Sequence, residues 1–268
     1  MLAAGVGVYA FLVEPRWLEV RRVSIHVPGL HPDLEGLRIG LLTDLHARGA
    51  ESLRLIRRAC ALLDAEAPSI VALTGDLADP GMGDLRPLLV ALSALDPPLG
   101  IYAVPGNHDH VRGIDSWKRG IARGGIVDLT NRALILPVGG ARLCLAGVDD
   151  LARGEPSLEA IPHPEERDFT ILLAHNPDQA ERCRRAMDGV DLVLSGHTHG
   201  GQIRLPGIGP IRSSVDHPDL YEEGLRRRPW TQVYVSRGIG TVRVAARLFS
   251  RPEVAVLELT GSPRPSRR

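Results

Sequence analysis

The chain is poor in cysteine, almost devoid of lysine and without an excess of charge of either sign. Among 268 residues, Cys60, Cys144 and Cys183 are the only cysteines, widely spaced and without a C-x-x-C pairing. That argues against a disulfide framework or a thiolate-built structural zinc site and leaves three reduced, buried thiols as the expectation. Acidic and basic residues balance at 32 each, so no global field points to nucleic acid or to an acidic partner. Lys118 is the sole lysine, which with the abundance of Ala, Gly and Pro reads as genome composition rather than function. A long apolar run is lacking too. The opening stretch MLAAGVGVYAFLV is uncharged, but as a helix it reaches about 20 Å where a hydrocarbon core is about 30 Å thick. Alone it cannot span a membrane, and with neither a basic flank nor a small-residue cleavage site it does not read as a signal peptide.

What is present is a succession of short apolar runs, each ending in a polar, often glycine-containing cluster: LRIGLLTDLH, SIVALTGDLAD, GIYAVPGNHDH, FTILLAHNP and DLVLSGHTHGG. Between the first three lie amphipathic stretches, residues 51–66 and 84–95, that predict helices, and a further helix is expected over 177–187. LEVRRVSIHV predicts a strand before them, and residues 130–150 predict a hairpin turning at Gly139 and Gly140. The runs WTQVYVSRG and PEVAVLELT are strand-like without intervening helices. Strands that partly alternate with helices and partly do not predict an α/β fold with α+β character, built on mixed rather than purely parallel sheets. The boundaries expected are an apolar leader over 1–15, one domain over 16–260 and a disordered tail over 261–268.

The polar residues ending the five runs are Asp44 and His46; Asp76 and Asp79; Asn107, His108 and Asp109; His175; and His197 and His199. Strand ends of an α/β sheet converge on one rim, where ligands bind. Carboxylates, imidazoles and an amide oxygen without thiolates suit Mn, Fe, Co, Ni or Zn, whereas Mg or Ca would call for oxygen throughout. In an extended segment residues i and i+2 share a face, so His197 with His199, and Asp44 with His46, would point together toward a metal cluster. An isolated H-x-H is more often structural; five motifs in register are not.

The order D-x-H, G-D-x-x-D, G-N-H-D, H and G-H-x-H, over residues 37 to 202, resembles the calcineurin-like metallophosphoesterase superfamily. Within it, EPRWLEV, GHTHGGQIRLP, YVSRGIG and RPEVAVLEL are similar to a bacterial branch of membrane-associated phosphodiesterases. The resemblance implies two mixed β-sheets packed as a sandwich and flanked by helices. It implies that Asp44, His46 and His199 hold one divalent metal ion, that Asn107, His175 and His197 hold a second, and that Asp76 bridges them. The expected function is a dinuclear metal-dependent phosphohydrolase, a phosphodiesterase using a metal-bridging hydroxide for in-line attack. His108 is the candidate for donating a proton to the leaving oxygen or stabilising its charge. Asp79 and Asp109 are candidates for orienting ligand imidazoles. Two rivals stay open: a lipid-linked sugar-nucleotide pyrophosphatase with the same metals, and a non-catalytic binding module, which the complete ligand set disfavours.

Other polar residues carry bland readings. His26, His31, His163 and His217 are expected at the surface or satisfied in the core, His110 is as readily loop decoration, and Asp149 with Asp150 reads as loop capping. Arg204 and Arg212 could meet a substrate phosphate or simply be solvated. Arg226 to Arg228 beside Trp230 could touch anionic lipid or form a charged turn. In the leader, Tyr9, Phe11 and Trp17 precede or neighbour Arg16, Arg21 and Arg22, the pattern of an interfacial aromatic belt followed by basic residues. That would seat the chain on the cytoplasmic face of a membrane, facing a phospholipid or lipid-linked phosphoester. A core helix, or the remainder of a longer segment, explains the leader equally well.

Overall fold

The computed structural model describes residues 2–186 and 189–261. The leader forms a helix, α1 (Leu2–Val8), continued by a π turn and a 3-10 turn to Arg16. After it come β1 (Glu19–Val27), β2 (Arg38–Leu42), α2 (Ala50–Asp64), β3 (Ile70–Leu73), α3 (Arg86–Leu92), β4 (Ile101–Ala103), α4 (Asn107–Arg123) and β5 (Val127–Asp128). The second half holds β6 (Arg132–Val138), β7 (Ala141–Gly147), β8 (Phe169–Leu173), α5 (Gln179–Ala186) and β9 (Leu192–Ser195). It continues through the short pair β10 (Arg204–Leu205) and β11 (Gly209–Pro210), α6 (Pro218–Tyr221), β12 (Gly224–Arg228) and β13 (Thr231–Val235) to β14 (Glu253–Gly261).

Two six-stranded sheets result, ordered β1-β14-β2-β3-β4-β5 and β12-β13-β9-β8-β7-β6. Both are mixed: β2 to β5 run parallel while β14 lies antiparallel to β2, and β7, β8, β9 and β13 run parallel between the antiparallel edges β6 and β12. Strand alternation decides which face each residue serves. Ile39, Leu41, Ile70 and Ala72 of the first sheet share one core with Phe169, Ile171, Leu173, Leu192 and Leu194 of the second. Leu42, Val71 and Leu73 point the other way, into a core closed by Leu53, Ile56, Leu88, Trp117 and Ile121 of α2, α3 and α4. Leu172 and Val193 do the same on the second sheet, against Ala180 and Tyr221. The expected sandwich flanked by helices is therefore what forms, with the hairpin at Gly139 and Gly140 as its β6–β7 corner.

α4 is the element that periodicity did not announce. It opens inside the GNHDH cluster and breaks at Gly113, whose φ of 117° is not helical, so its first turns carry polar residues where an apolar stripe would be sought. Cys60 and Cys144 are free and buried as expected, and burial pushes the Cys60 thiol up to about 12. The Cys183 side chain and tail residues 262–268 lie outside the described residues.

Candidate metal centre

All seven proposed ligands converge where β2, β3, β4, β8 and β9 end, at the same edge of the two sheets. The local backbone is not extended, however. Asp44, His46, Asp76, His197 and His199 all have positive φ, from 44° to 71°, and His199–Gly201 is a 3-10 turn. The runs after β2, β3 and β9 leave their sheets through left-handed turns, so Asp44 and His46, Asp76, and His197 and His199 meet because the chain turns there and not because alternate residues share a face. Non-glycine residues rarely adopt this region, and their concentration here marks strain held for a purpose. The turns are laced to one another: Asp44 N–H donates to Gly75 O at 3.0 Å, His46 N–H to Asp76 O at 3.0 Å, and Gly196 N–H to His175 O at 3.0 Å.

Within this frame the donor atoms face one another. His46 Nε2 and His199 Nε2 are 3.2 Å apart, and His199 Nε2 is 3.4 Å from Asp44 Oδ1. On the other side His175 Nε2 lies 3.1 Å from His197 Nδ1 and 3.2 Å from Asn107 Oδ1. Asp76 Oδ2 sits between the groups, 3.6 Å from His46 Nε2 and 3.4 Å from His175 Nε2. Its Oδ1 accepts the His108 N–H at 2.8 Å, so one oxygen is anchored while the other looks inward. Asp44 accepts from Thr43 Oγ1 at 2.8 Å and from the His197 N–H at 3.0 Å.

The outer nitrogens assign the tautomers. His46 Nδ1 donates to Asp79 Oδ1 at 2.6 Å, His175 Nδ1 to the Thr74 carbonyl at 2.8 Å, and His197 Nε2 to the Ser214 carbonyl at 3.1 Å. Each ring then presents its bare nitrogen to the centre, the arrangement found around metal-bound imidazoles. Two lone pairs turned on each other at 3.1 Å repel unless a cation or a proton lies between them. The donor set thus fits divalent metal ions, and the triads Asp44–His46–His199 and Asp44–Asp76–His175 each bring their atoms within 4.8 Å. A third such group, His46–Asp76–His108, places His108 at the edge of the cluster.

The electrostatics agree with a site built for positive charge. Burial works against ionised Asp76, yet His175 and His46 beside it hold its carboxyl well below the usual range. Burial drives His199 down to about 3 and lowers His197 as well, keeping both neutral and free to coordinate. His175 is pushed up: although burial works against it, Asp76 and Asp44 outweigh that burial, so a proton can take the place a cation would hold.

Other expectations sort clearly. Asp79 orients an imidazole as foreseen and also meets Arg48 Nε at 3.1 Å. Asp109 does not; it caps backbone, accepting from Gly106 N–H at 3.0 Å and Leu77 N–H at 3.1 Å, and burial with Asp76 nearby raises it to about 7. His110 pairs with Asp149 at 2.6 Å, and Asp149 and Asp150 cap the loop up to Glu155. His217 pairs with Asp178. Arg204 is taken by Gly200 O and Glu223, while Arg226 to Arg228 belong to strand β12. Arg212 lines the cleft, about 280 Å³ in volume, that opens on Asp76, Asn107, His108, His197 and His199. Sequence reasoning missed Arg243, which lines the same cleft, and Arg247, fully buried behind it. Both lie beyond the last motif, where nothing in the residue pattern marks them.

Comparison with known proteins accords with this geometry. A family model described as calcineurin-like phosphoesterase matches residues 37–201. Phosphodiesterase YaeI of Escherichia coli (strain K12) is 32% identical, over 96% of this chain and 93% of its own. The uncharacterised metallophosphoesterase YkuE of Bacillus subtilis (strain 168) is 32% identical, over 96% and 91%. A Bos taurus transmembrane protein with a metallophosphoesterase domain is 30% identical, over 91% of this chain and 57% of that one. Among solved structures, a Staphylococcus aureus protein provisionally described as a 5′-nucleotidase superposes with a TM-score of 0.51 at 13% identity, covering 87% of this chain and 56% of that one, which speaks to fold alone. With the fold, the five motifs and the family match in agreement, this chain belongs to the calcineurin-like phosphoesterases and is a metallophosphoesterase.

Proposed function

We propose that the chain is a dinuclear metal-dependent phosphodiesterase. The observation that carries this reading is the pair of facing imidazoles on each side of Asp76, His46 with His199 and His175 with His197. Asp44, His46 and His199 would hold one divalent ion, Asn107, His175 and His197 the other, and Asp76 both. When bound, such a pair supplies Lewis acidity toward phosphoryl oxygens and lowers the pKa of water toward neutrality.

The chain's own residues do the rest. His108 is partly exposed at the mouth of the cleft, and the Asp79 carboxylate 3.6 Å from its Nδ1 raises its affinity for a proton. That suits it to deliver a proton to the leaving oxygen. Exposed Arg212 and Arg243 line the cleft, and Arg153 and Arg243 line the groove beyond His108. None of the three guanidinium groups has a hydrogen bond or ion pair among the described residues, so each is available to a phosphate oxygen. Ile203, Ile211, Val242 and Val244 give the cleft an apolar wall. This wall favours a second reading, in which the phosphoester is lipid-linked, a phospholipid or an acylated sugar nucleotide. Val8, Phe11, Leu12 and Trp17 of the leader and Phe249 are exposed in the same way, which supports seating on a membrane surface, and Arg16, Arg21 and Arg22 on the domain side of the leader favour the cytoplasmic face. No helix among the described residues is long and apolar enough to cross one.

The test is metal analysis joined to turnover of a panel of phosphodiesters and phosphomonoesters. Two ions per chain, preference for diesters and near-complete loss in Asp76→Ala are expected. A folded, metal-loaded chain holding one ion, or an Asp76→Ala variant as active as the parent, would refute it.

A further inference from the structure

The leader's end is bonded to the back of the metal centre. Glu14 is fully buried, a costly place for a carboxylate unless its oxygens are satisfied. Oε2 accepts the Phe249 N–H at 3.0 Å and Oε1 the Ser250 N–H at 2.5 Å. Four residues earlier the Ala10 carbonyl accepts the Arg247 N–H at 2.9 Å. Residues 247–250 are thereby clamped to the leader at both ends.

What that segment does on its other side gives the clamp its meaning. Ser250 Oγ donates to the His199 carbonyl at 2.8 Å. The Arg247 guanidinium, wholly buried, faces carbonyls: His199 O at 3.3 Å, Ser250 O at 2.9 Å, Arg237 O at 2.8 Å, Gly238 O at 3.2 Å and Gly240 O at 2.6 Å. It ties the His199 turn to the 237–240 turn. That second turn in turn holds the first rim strand, since Ile239 N–H donates to Thr43 O at 3.1 Å and Gly240 N–H to Asp44 O at 2.7 Å. The web reaches the centre at Asp44, at its neighbour Thr43 and at the His199 turn. None of these hydrogen bonds runs to Asn107, His175 or His197.

We infer that Glu14 is a positioning residue for the Asp44–His46–His199 half of the centre, acting through Arg247 and Ser250. The leader is then part of the metal site as well as a candidate membrane segment. This rests on the dinuclear reading above. Without the Glu14 carboxylate two buried N–H groups lose their acceptor, residues 249–250 shift, and His199 loses the donors that fix its turn. Partners of this kind typically govern metal affinity by about 10- to 100-fold.

The experiment uses the full chain and reads metal affinity rather than turnover. Mn²⁺ binding is measured by calorimetry and elemental analysis for the parent, Glu14→Ala, Glu14→Gln and Arg16→Ala, with circular dichroism to confirm folding. To assign the ions, Glu14→Ala is repeated in an Asn107→Ala background, which weakens the second half, and in a His199→Ala background, which weakens the first. Expected is a loss of about 10- to 100-fold in the affinity of one ion, retained in the Asn107→Ala background and absent in the His199→Ala background. Glu14→Gln, which keeps one acceptor oxygen, should fall between, and Arg16→Ala, an exposed residue, should match the parent. Two parental affinities in a folded Glu14→Ala, or in Glu14→Gln should the alanine variant not fold, overturn the inference. So does an equal loss from both ions. A parent chain that binds a single ion overturns the dinuclear reading instead.

Discussion

Gly196 is the residue at which the packing of the centre can be tested most sharply. It precedes His197 and lies against the first rim turn, and it is not among the glycines with positive φ, so alanine there meets no backbone penalty. The whole effect is steric. A Cβ built at Gly196 would stand 2.7 Å from Thr43 Cγ2 and closer still to Thr43 Oγ1 and Asp44 Oδ2. Carbon atoms rest at about 3.5–4.0 Å, so the His197 turn or the Thr43–Asp44 turn must give way by about 1 Å. Thr43 and Asp44 are completely buried and hydrogen-bonded to each other and to the His197 N–H, which leaves no free space to move into. The displacement therefore falls on ligand geometry.

Two magnitudes follow. A displacement of about 1 Å in positioned reacting groups costs about 10²-fold in rate, equivalent to about 2.7 kcal/mol. Overpacking costs about 1–3 kcal/mol of stability. Gly196→Ala is thus expected to fold with a melting temperature lower by several degrees, to bind the ion at Asp44 and His199 more weakly, and to lose about two orders of magnitude in kcat at saturating Mn²⁺. Thermal unfolding, elemental analysis and steady-state kinetics read these separately. A variant that loses stability yet keeps both ions and the parental kcat would show that the turns relax independently, and the argument from close packing would fail.

Two further outcomes test other parts of the reading. His108→Ala should retain both metal ions and lose about 10²- to 10⁴-fold in turnover of alkyl phosphodiesters, with a smaller loss for nitrophenyl esters, whose leaving groups are stable as anions; equal losses across leaving groups would remove His108 from proton delivery. Val8→Ser combined with Leu12→Ser alters exposed leader residues while sparing Glu14, so it should reduce flotation with anionic phospholipid vesicles without changing metal content. A parent chain that stays in the soluble fraction would count against membrane seating.

The residues of the candidate ligand set could be picked out in the sequence because the runs that carry them are strands of obvious composition, and a strand's end fixes where its next residues lie. Asp44, Asp76, Asn107, His175 and His199 each follow such a run within a few residues. The reason they converge was not readable. Alternation would have put Asp44 with His46, and His197 with His199, on one face of an extended segment, whereas the backbone takes left-handed turns at all four. Such turns are paid for by tertiary hydrogen bonds, such as His46 N–H to Asp76 O and Gly196 N–H to His175 O, and a bond between distant segments leaves no local pattern. The same holds more strongly behind the site. A buried arginine that bonds mainly to carbonyls, as Arg247 does apart from the 3.5 Å approach of its Nη2 to His199 Nδ1, asks little of its partners' side chains, so it leaves little residue pattern near them. Glu14 is its counterpart, a carboxylate that answers backbone N–H groups of Phe249 and Ser250. In the sequence it is one acid beside a proline at the end of an apolar stretch. Contacts from side chain to backbone are therefore where a single sequence is least legible, and here they connect the part of the chain that reads as an anchor to the part that reads as chemistry.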